Sequence, residues 1–219
     1  MGAKTWMIVY SEGNAPEVLK SNPKLEENRT SEFLARLFPD YELSPMDDGS
    51  LSFTSPEEDE IYAGFFNGVF VVAATEFGID YPTKIPEHFI TSEFGSTIQL
   101  HAMHSAVDWF AFAVWKNNQI KRALSLSPDS GVLEDIGERF EFENPYWEGK
   151  HPAIDPEDYD EDEEEYPFPF HPLELGEAAL KDMYGYQLEG CIDDPLFEPE
   201  EIPLMRFKRI QIKPWWKFW

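Results

Sequence analysis

The sequence has a single cysteine, no long apolar segment and few basic residues. Cys191 is the only cysteine among 219 residues. It therefore cannot form an internal disulfide, and no Cys-x-x-Cys pair is available for structural zinc. The longest stretch without a charged residue covers residues 61–75, whereas a membrane-spanning helix needs about 20 apolar residues. The chain also does not open on a basic segment followed by an apolar one, as a secretory signal would. These absences predict a cytoplasmic protein.

Lysine and arginine are scarce, at 17 residues against 43 of aspartate and glutamate, and the net charge is −26. A protein that binds nucleic acid by neutralising phosphates needs the opposite balance, so we expect no nucleic-acid partner. Neither Gly-x-x-x-x-Gly-Lys-Ser/Thr nor Gly-x-Gly-x-x-Gly occurs, and we expect no cofactor. The excess of carboxylates favours a basic protein partner, or it serves solubility alone.

The chain is rich enough in apolar residues (42%) to fold as one domain. Residues 61–66 and 69–74 flank Asn67-Gly68, a dipeptide that predicts a β-hairpin with a two-residue turn. We predict further strands at residues 3–10, 51–54, 97–104, 108–116 and 119–127. Short helices are predicted at residues 15–20 after an Asn14 cap, at 32–38 after Thr30 or Ser31, at 86–93, and from Pro172 to Gly185. The pattern favours an α+β fold, a mostly antiparallel sheet of six or seven strands with a few short helices on one face.

The organisation along the chain follows from charge and proline content. Residues 1–150 are predicted to form the α+β core. Residues 151–170 form an acidic, proline-rich strap, because nine of the eleven residues 155–165 are acidic and like charges resist packing. Residues 171–219 are predicted to form a C-terminal helix and a basic aromatic tail that pack back on the core, so that the whole is a single domain.

The tail, from Arg206 to Trp219, alternates cations with apolar rings and contains no acid. It either lies on an anionic membrane surface, as the only candidate membrane contact of the chain, or folds back so that Phe207, Ile210 and Ile212 complete an edge of the sheet. We favour the second interpretation, because anionic lipids would repel the acidic remainder of the chain.

His101, His104 and Asp108 are spaced so that a helix would place them on one face, as a candidate metal site. Their neighbours are β-branched, aromatic and small, which favours a strand instead. On a strand His101 and His104 face opposite sides, and the polar groups then bond to backbone atoms.

Ser125, Ser127, Asp129 and Ser130 follow a predicted strand and, together with His104, invite a serine-hydrolase hypothesis. No Gly-x-Ser-x-Gly motif is present to position a nucleophile. Pro-Asp-Ser-Gly is equally typical of a tight turn. The candidate catalytic residues are thus His104, Asp108, Ser127, Asp129 and Ser130.

Several segments resemble a family of uncharacterised bacterial proteins. They are LHAMHSAVDWFAFAVW and SLSPDSGVLE within residues 100–134, MGAKTWM at the start, PYW at 145–147 and FHPLELGEAAL at 170–180. The resemblance covers residues 1 to about 209 and implies a bacterial intracellular protein. It carries over no catalytic residue.

Two functions remain open. The first is an acidic binding protein that engages a basic protein partner, in the manner of an immunity factor, antitoxin or nucleic-acid mimic. The alternative is a metal-dependent or serine hydrolase that uses His101, His104, Asp108 and the loop of residues 125–130. Convergence of these side chains in one pocket, within hydrogen-bond reach, would favour the hydrolase.

Overall fold

The structure is a computed structural model that describes residues 2–154, 166–190 and 196–212. Most of the predicted acidic strap, Cys191 and residues 213–219 of the tail lie outside the described residues. Within them the chain forms ten strands, β1 Lys4–Ser11, β2 Tyr41–Pro45, β3 Gly49–Ser50, β4 Glu60–Phe66, β5 Val69–Ala73, β6 Thr97–His104, β7 Trp109–Lys116, β8 Gln119–Ser127, β9 Gly131–Gly137 and β10 Pro203–Gln211. The α-helices are α1 Ala15–Lys20, α2 Glu27–Leu37, α3 Asn144–Trp147 and α4 Pro172–Tyr184.

All ten strands belong to one antiparallel sheet, in the order β2-β10-β4-β5-β1-β6-β7-β8-β9, with β3 also paired to β10. The predicted hairpin is confirmed as β4 and β5, and its turn residues Asn67 and Gly68 have φ angles of 41° and 87°. The predicted antiparallel sheet is therefore confirmed, but the predicted number of strands, six or seven, is lower than the ten observed. Residues 51–54 are not a strand, and only Thr54 forms a single bridge, with Thr5.

Both faces of the sheet are covered, so the prediction of helices on one face is wrong. Helices α1 and α4 pack on the face that carries Met7, Val9 and Phe110, which we call the first face. Helix α2 and several short 3₁₀ turns pack on the opposite, second face, which carries Ile8 and Leu100. The cause is the composition of the central strands, whose residues are apolar at almost every position and bury both sides.

The helix boundaries agree with the sequence at some ends and differ at others. The Asn14 side chain caps α1 by accepting a hydrogen bond from the Glu17 amide at 3.3 Å, and Gly185 ends α4 with a φ of 85°. Helix α2 begins at Glu27, earlier than predicted, because the hydroxyl of Thr30 donates to the carbonyl of the preceding turn and does not cap the helix. Residues 86–93 contain only the 3₁₀ turn Glu87–Phe89.

The described part of the tail lies inside the sheet. Strand β10 pairs with β2 on one side and β4 on the other, so the predicted edge is instead formed by β2. Phe207 is buried, but Ile210 and Ile212 are exposed. Buried Arg209 donates to the Glu58 carbonyl at 2.8 Å, which joins β10 to the loop before β4.

A fully buried ion pair joins β8 to the segment before α3. Arg122 Nε and Nη2 donate to the two carboxylate oxygens of Glu143 at 2.9 and 2.6 Å, and both side chains are inaccessible to solvent. Arg122 also pairs with half-exposed Asp135 on β9 and donates to the Ile136 carbonyl at 3.1 Å. One guanidinium therefore holds two strands and a following turn together in the interior.

The Glu143→Gln variant should lower the free energy of unfolding by about 3 kcal/mol, because it leaves the buried guanidinium without its enclosed counter-charge. Urea denaturation measures this change. The matched control is Glu93→Gln, which removes an exposed pair with Arg36 and should cost less than about 1 kcal/mol. Equal effects of the two substitutions would contradict the assigned role of the buried pair.

Candidate functional site

Strand β6 places two of the candidate histidines on opposite faces of the sheet. His101 is fully buried on the first face, where its ring contacts Phe110 and Tyr184. Its Nε2 lies 3.0 Å from the Gly176 carbonyl and must donate, so its Nδ1 accepts from the Thr5 hydroxyl at 2.7 Å. Burial lowers the pKa of His101 to about 4. This side chain is neutral and fully bonded within the core.

The three metal candidates do not come together. His104 lies at the end of β6 on the second face, opposite to His101, because the two are an odd number of residues apart on a strand. Asp108 adopts a left-handed conformation with a φ of 47° and lies 3.6 Å from His171 Nε2. No group of three or more potential ligands gathers anywhere in the part of the chain that the structure describes. The hypothesis of a His101, His104 and Asp108 site is therefore wrong in its geometry.

His104, Ser127, Asp129 and Ser130 meet in one cleft on the second face, at the end of β6, whereas Asp108 does not line it. We call this the terminal cleft, and its volume is about 350 Å³. Four separate stretches of chain bring its residues together, namely the start of β1, the loop after β5, the β6–β7 connection, and the β8–β9 segment. The residues that line it are Trp6, Gly78, Asp80, His104, Val107, Trp109, Ser127, Asp129, Ser130 and Leu133.

Two carboxylates and two indoles give the terminal cleft its character. Asp80 and Asp129 are exposed, and neither makes an ion pair within the described residues. Trp109 is largely buried, and its Nε1 donates to Ser125 Oγ at 3.2 Å, which fixes the indole plane. The ring of Trp6 lies 6.5 Å from that of His104. Polar groups with aromatic walls suit recognition of a ligand.

His104 brings no positive charge to the terminal cleft at neutral pH. Partial burial lowers its pKa, and the nearby ammonium of Lys4 lowers it further. The imidazole is therefore protonated less readily than that of a free histidine. Its chemical capacity is that of a neutral donor and acceptor.

The serines of the turn are engaged in local structure. Ser127 is 6% exposed and its Oγ accepts a hydrogen bond from the Ser130 amide at 3.2 Å, which closes the β8–β9 turn. No hydrogen bond between Ser127 and His104 is present among the described residues. The cleft thus gathers hydrolase-type residues without the nucleophile–base contact that activates a serine.

Sequence reasoning found His104, Ser127, Asp129 and Ser130 but missed Trp6 and Asp80. These two lie far away in the sequence, and only the pairing of β1 between β5 and β6 brings them to the cleft. A strand order cannot be read from local patterns. The one available signal was the even-numbered position of Trp6, which shares its face with Ile8.

Comparison with known protein families matches residues 5–207 to a family described as "Family of unknown function (DUF6928)". The match covers most of the chain, as the resemblance of residues 1 to about 209 predicts. No curated protein and no solved structure matches the chain. Among the described residues, no helix has the length and apolar character needed to cross a membrane.

His101 should make the protein less stable in acid. Its folded pKa of about 4 lies below the ordinary value of 6.5, so between these values only the unfolded chain takes up the proton, and stability is lost as the pH falls. At about 1.4 kcal/mol per pKa unit the loss is about 3 kcal/mol. Urea denaturation from pH 7 to pH 4 should show that the difference in free energy of unfolding between the protein and His101→Gln becomes smaller. The exposed variant His88→Gln should show the same pH dependence as the protein. A pH-independent difference for His101→Gln would contradict the assignment.

Proposed function

The chain belongs to the DUF6928 family, whose function is unknown, and we propose that it is an acidic binding protein that engages a basic protein partner. The proposal rests on one observation above all. The chain has far more carboxylates than cations, 43 aspartates and glutamates against 17 lysines and arginines, and most of its arginines are already paired with its own carboxylates.

The arginines illustrate this imbalance. Arg139 is the only arginine without an ion pair among the described residues, and its guanidinium lies 4.2 Å from the ring centroid of Trp147. The others pair with acids, as follows: Arg29 with Glu26, Arg36 with Glu32 and Glu93, Arg122 with Asp135 and Glu143, Arg206 with Glu60, and Arg209 with Glu76. Carboxylates therefore remain in large excess over cations, and the net charge of the chain is −26. Such a field accelerates encounter with a positively charged partner.

The terminal cleft supports the proposal at the level of single residues. Asp80 and Asp129 have no cation of their own within the described chain, and they stand beside Trp6 and Trp109. Two unpaired carboxylates beside aromatic rings favour a cationic side chain over an anionic one.

The biological setting is part of the same proposal. An acidic protein that masks a basic partner is typical of immunity factors, antitoxins and nucleic-acid mimics. We place it in a bacterial cytoplasm, because its single cysteine suits a reducing compartment and its sequence resembles bacterial proteins. Nucleic acid itself is not proposed as a partner, since its phosphates would be repelled.

A serine hydrolase is the second candidate function, and one observation favours it. His104, Ser127 and Asp129 line the same cleft, and catalytic hydrogen bonds often tighten only when a substrate binds. Against it, Ser127 Oγ is engaged with the Ser130 amide. Because a nucleophilic serine needs a base within hydrogen-bond reach, we consider the binding function better supported.

Capture experiments at two salt concentrations test the binding function. The tagged full-length protein should retain a set of basic polypeptides from a bacterial lysate at about 0.01 M salt and release them at about 1 M, because the Debye length falls from about 30 Å to about 3 Å. Mass spectrometry identifies the retained proteins. An unrelated acidic protein of similar net charge serves as the control bait. Retention of neutral or acidic proteins, or the same set on both baits, would contradict the proposal.

Assays with p-nitrophenyl esters test the hydrolase alternative. If the binding function is correct, the protein and its Ser127→Ala variant will hydrolyse the esters at the same background rate. A rate well above background that falls by more than about a hundredfold in Ser127→Ala, and likewise in His104→Gln, would establish the hydrolase instead.

A further inference from the structure

The aromatic walls of the terminal cleft can each accept a cation. Indole rings are the best cation–π partners among side chains. Trp6 already behaves in this way, since Lys4 Nζ lies 4.0 Å from its ring centroid. Lys4 does not line the cleft, and its single charge opposes two carboxylates that do.

The two carboxylates approach the cleft from separate parts of the chain. Asp80 follows the 3₁₀ turn Thr75–Phe77, and Asp129 lies in the turn between β8 and β9. They flank the same space, and no lysine or arginine lines it. An anionic ligand would therefore meet two like charges in the lining of the cleft, whereas a cation would gain charge-assisted hydrogen bonds.

The other lining residues suit the rest of a cationic side chain. Val107 is 49% exposed and, with Leu133, offers apolar surface for an alkyl stem. His104 is held neutral by its surroundings and so adds no repulsion. A volume of about 350 Å³ accommodates a group the size of an amino-acid side chain.

We propose that the terminal cleft binds an alkylguanidinium or alkylammonium group, which lies against Trp6 and Trp109 and is neutralised by Asp80 and Asp129. This deepens the proposed function, on which it rests for the source of the cation, an arginine or lysine side chain of the basic partner. A free polyamine-like molecule presents the same chemistry, and the experiment separates the two sources.

Isothermal titration calorimetry with small cations tests the cleft directly. The probes are agmatine, N-acetylarginine amide and the uncharged isostere N-acetylcitrulline amide. We expect N-acetylarginine amide to bind and the citrulline compound to bind at least about tenfold more weakly. Binding of agmatine but not of N-acetylarginine amide assigns the cleft to a free cation. Binding of neither cation, or equal binding of arginine and citrulline compounds, overturns the proposal.

Three substitutions locate the site. Asp80→Asn and Asp129→Asn should each weaken cation binding about tenfold, because each removes one counter-charge. Asp40→Asn is the matched control, since Asp40 is equally exposed and outside the cleft, and it should leave binding unchanged. Equal losses in all three variants would show that only net charge matters and would overturn the site. All three are surface positions, and urea denaturation verifies that each variant is folded.

The outcomes for the cleft and for the proposed function are distinguishable. If the Asp80→Asn/Asp129→Asn double variant still captures basic partners fully, the cleft proposal fails and the binding function stands. If N-acetylarginine amide binds to the cleft but no basic protein is captured, the binding function fails and the cation site stands.

Discussion

Burial of the sheet on both faces is the constraint on which the rest of the structure depends. A polar side chain on a central strand has only two options, a buried partner or a position where the strand ends. His101 takes the first, between Thr5 and Gly176. Arg122 also takes the first, because Glu143 encloses its charge. His104 takes the second, and the chemistry of this protein is therefore concentrated at the strand ends.

Much of the fold could be predicted from local patterns, but the number of strands and the covering of both sheet faces could not. The Asn67-Gly68 turn predicted the β4–β5 hairpin. Asn14 and Gly185 predicted helix ends, because Asn14 caps an amide of the first turn and Gly185 adopts a positive φ angle. Strands β2 and β9 carry too many polar or charged residues for their length to be recognised, and they lie at the two edges of the sheet. Whether helices cover one face or two depends on strand order, which local periodicity does not contain.

Part of the candidate site could be predicted from the sequence, and the rest could not because it depends on strand order. The extended character of β6 was correctly predicted, and it places His101 and His104 on opposite faces of the sheet. The turn chemistry of Ser127, Asp129 and Ser130 was visible as well. Trp6 and Asp80 line the cleft only because distant strands pair with one another. Their presence changes the interpretation of the site. A cluster that suggested a serine nucleophile also contains two indoles and two unpaired carboxylates, from which we propose a site for positive charge.

The proposed function and the cleft share one electrostatic logic, in which the excess of carboxylates over cations is available to a basic partner. A crystal structure of the protein grown with N-acetylarginine amide examines this most directly. The account predicts density for the guanidinium against the rings of Trp6 and Trp109, within about 3 Å of a carboxylate oxygen of Asp80 or Asp129. A guanidinium bound elsewhere on the acidic surface, with the cleft occupied by solvent alone, would contradict it.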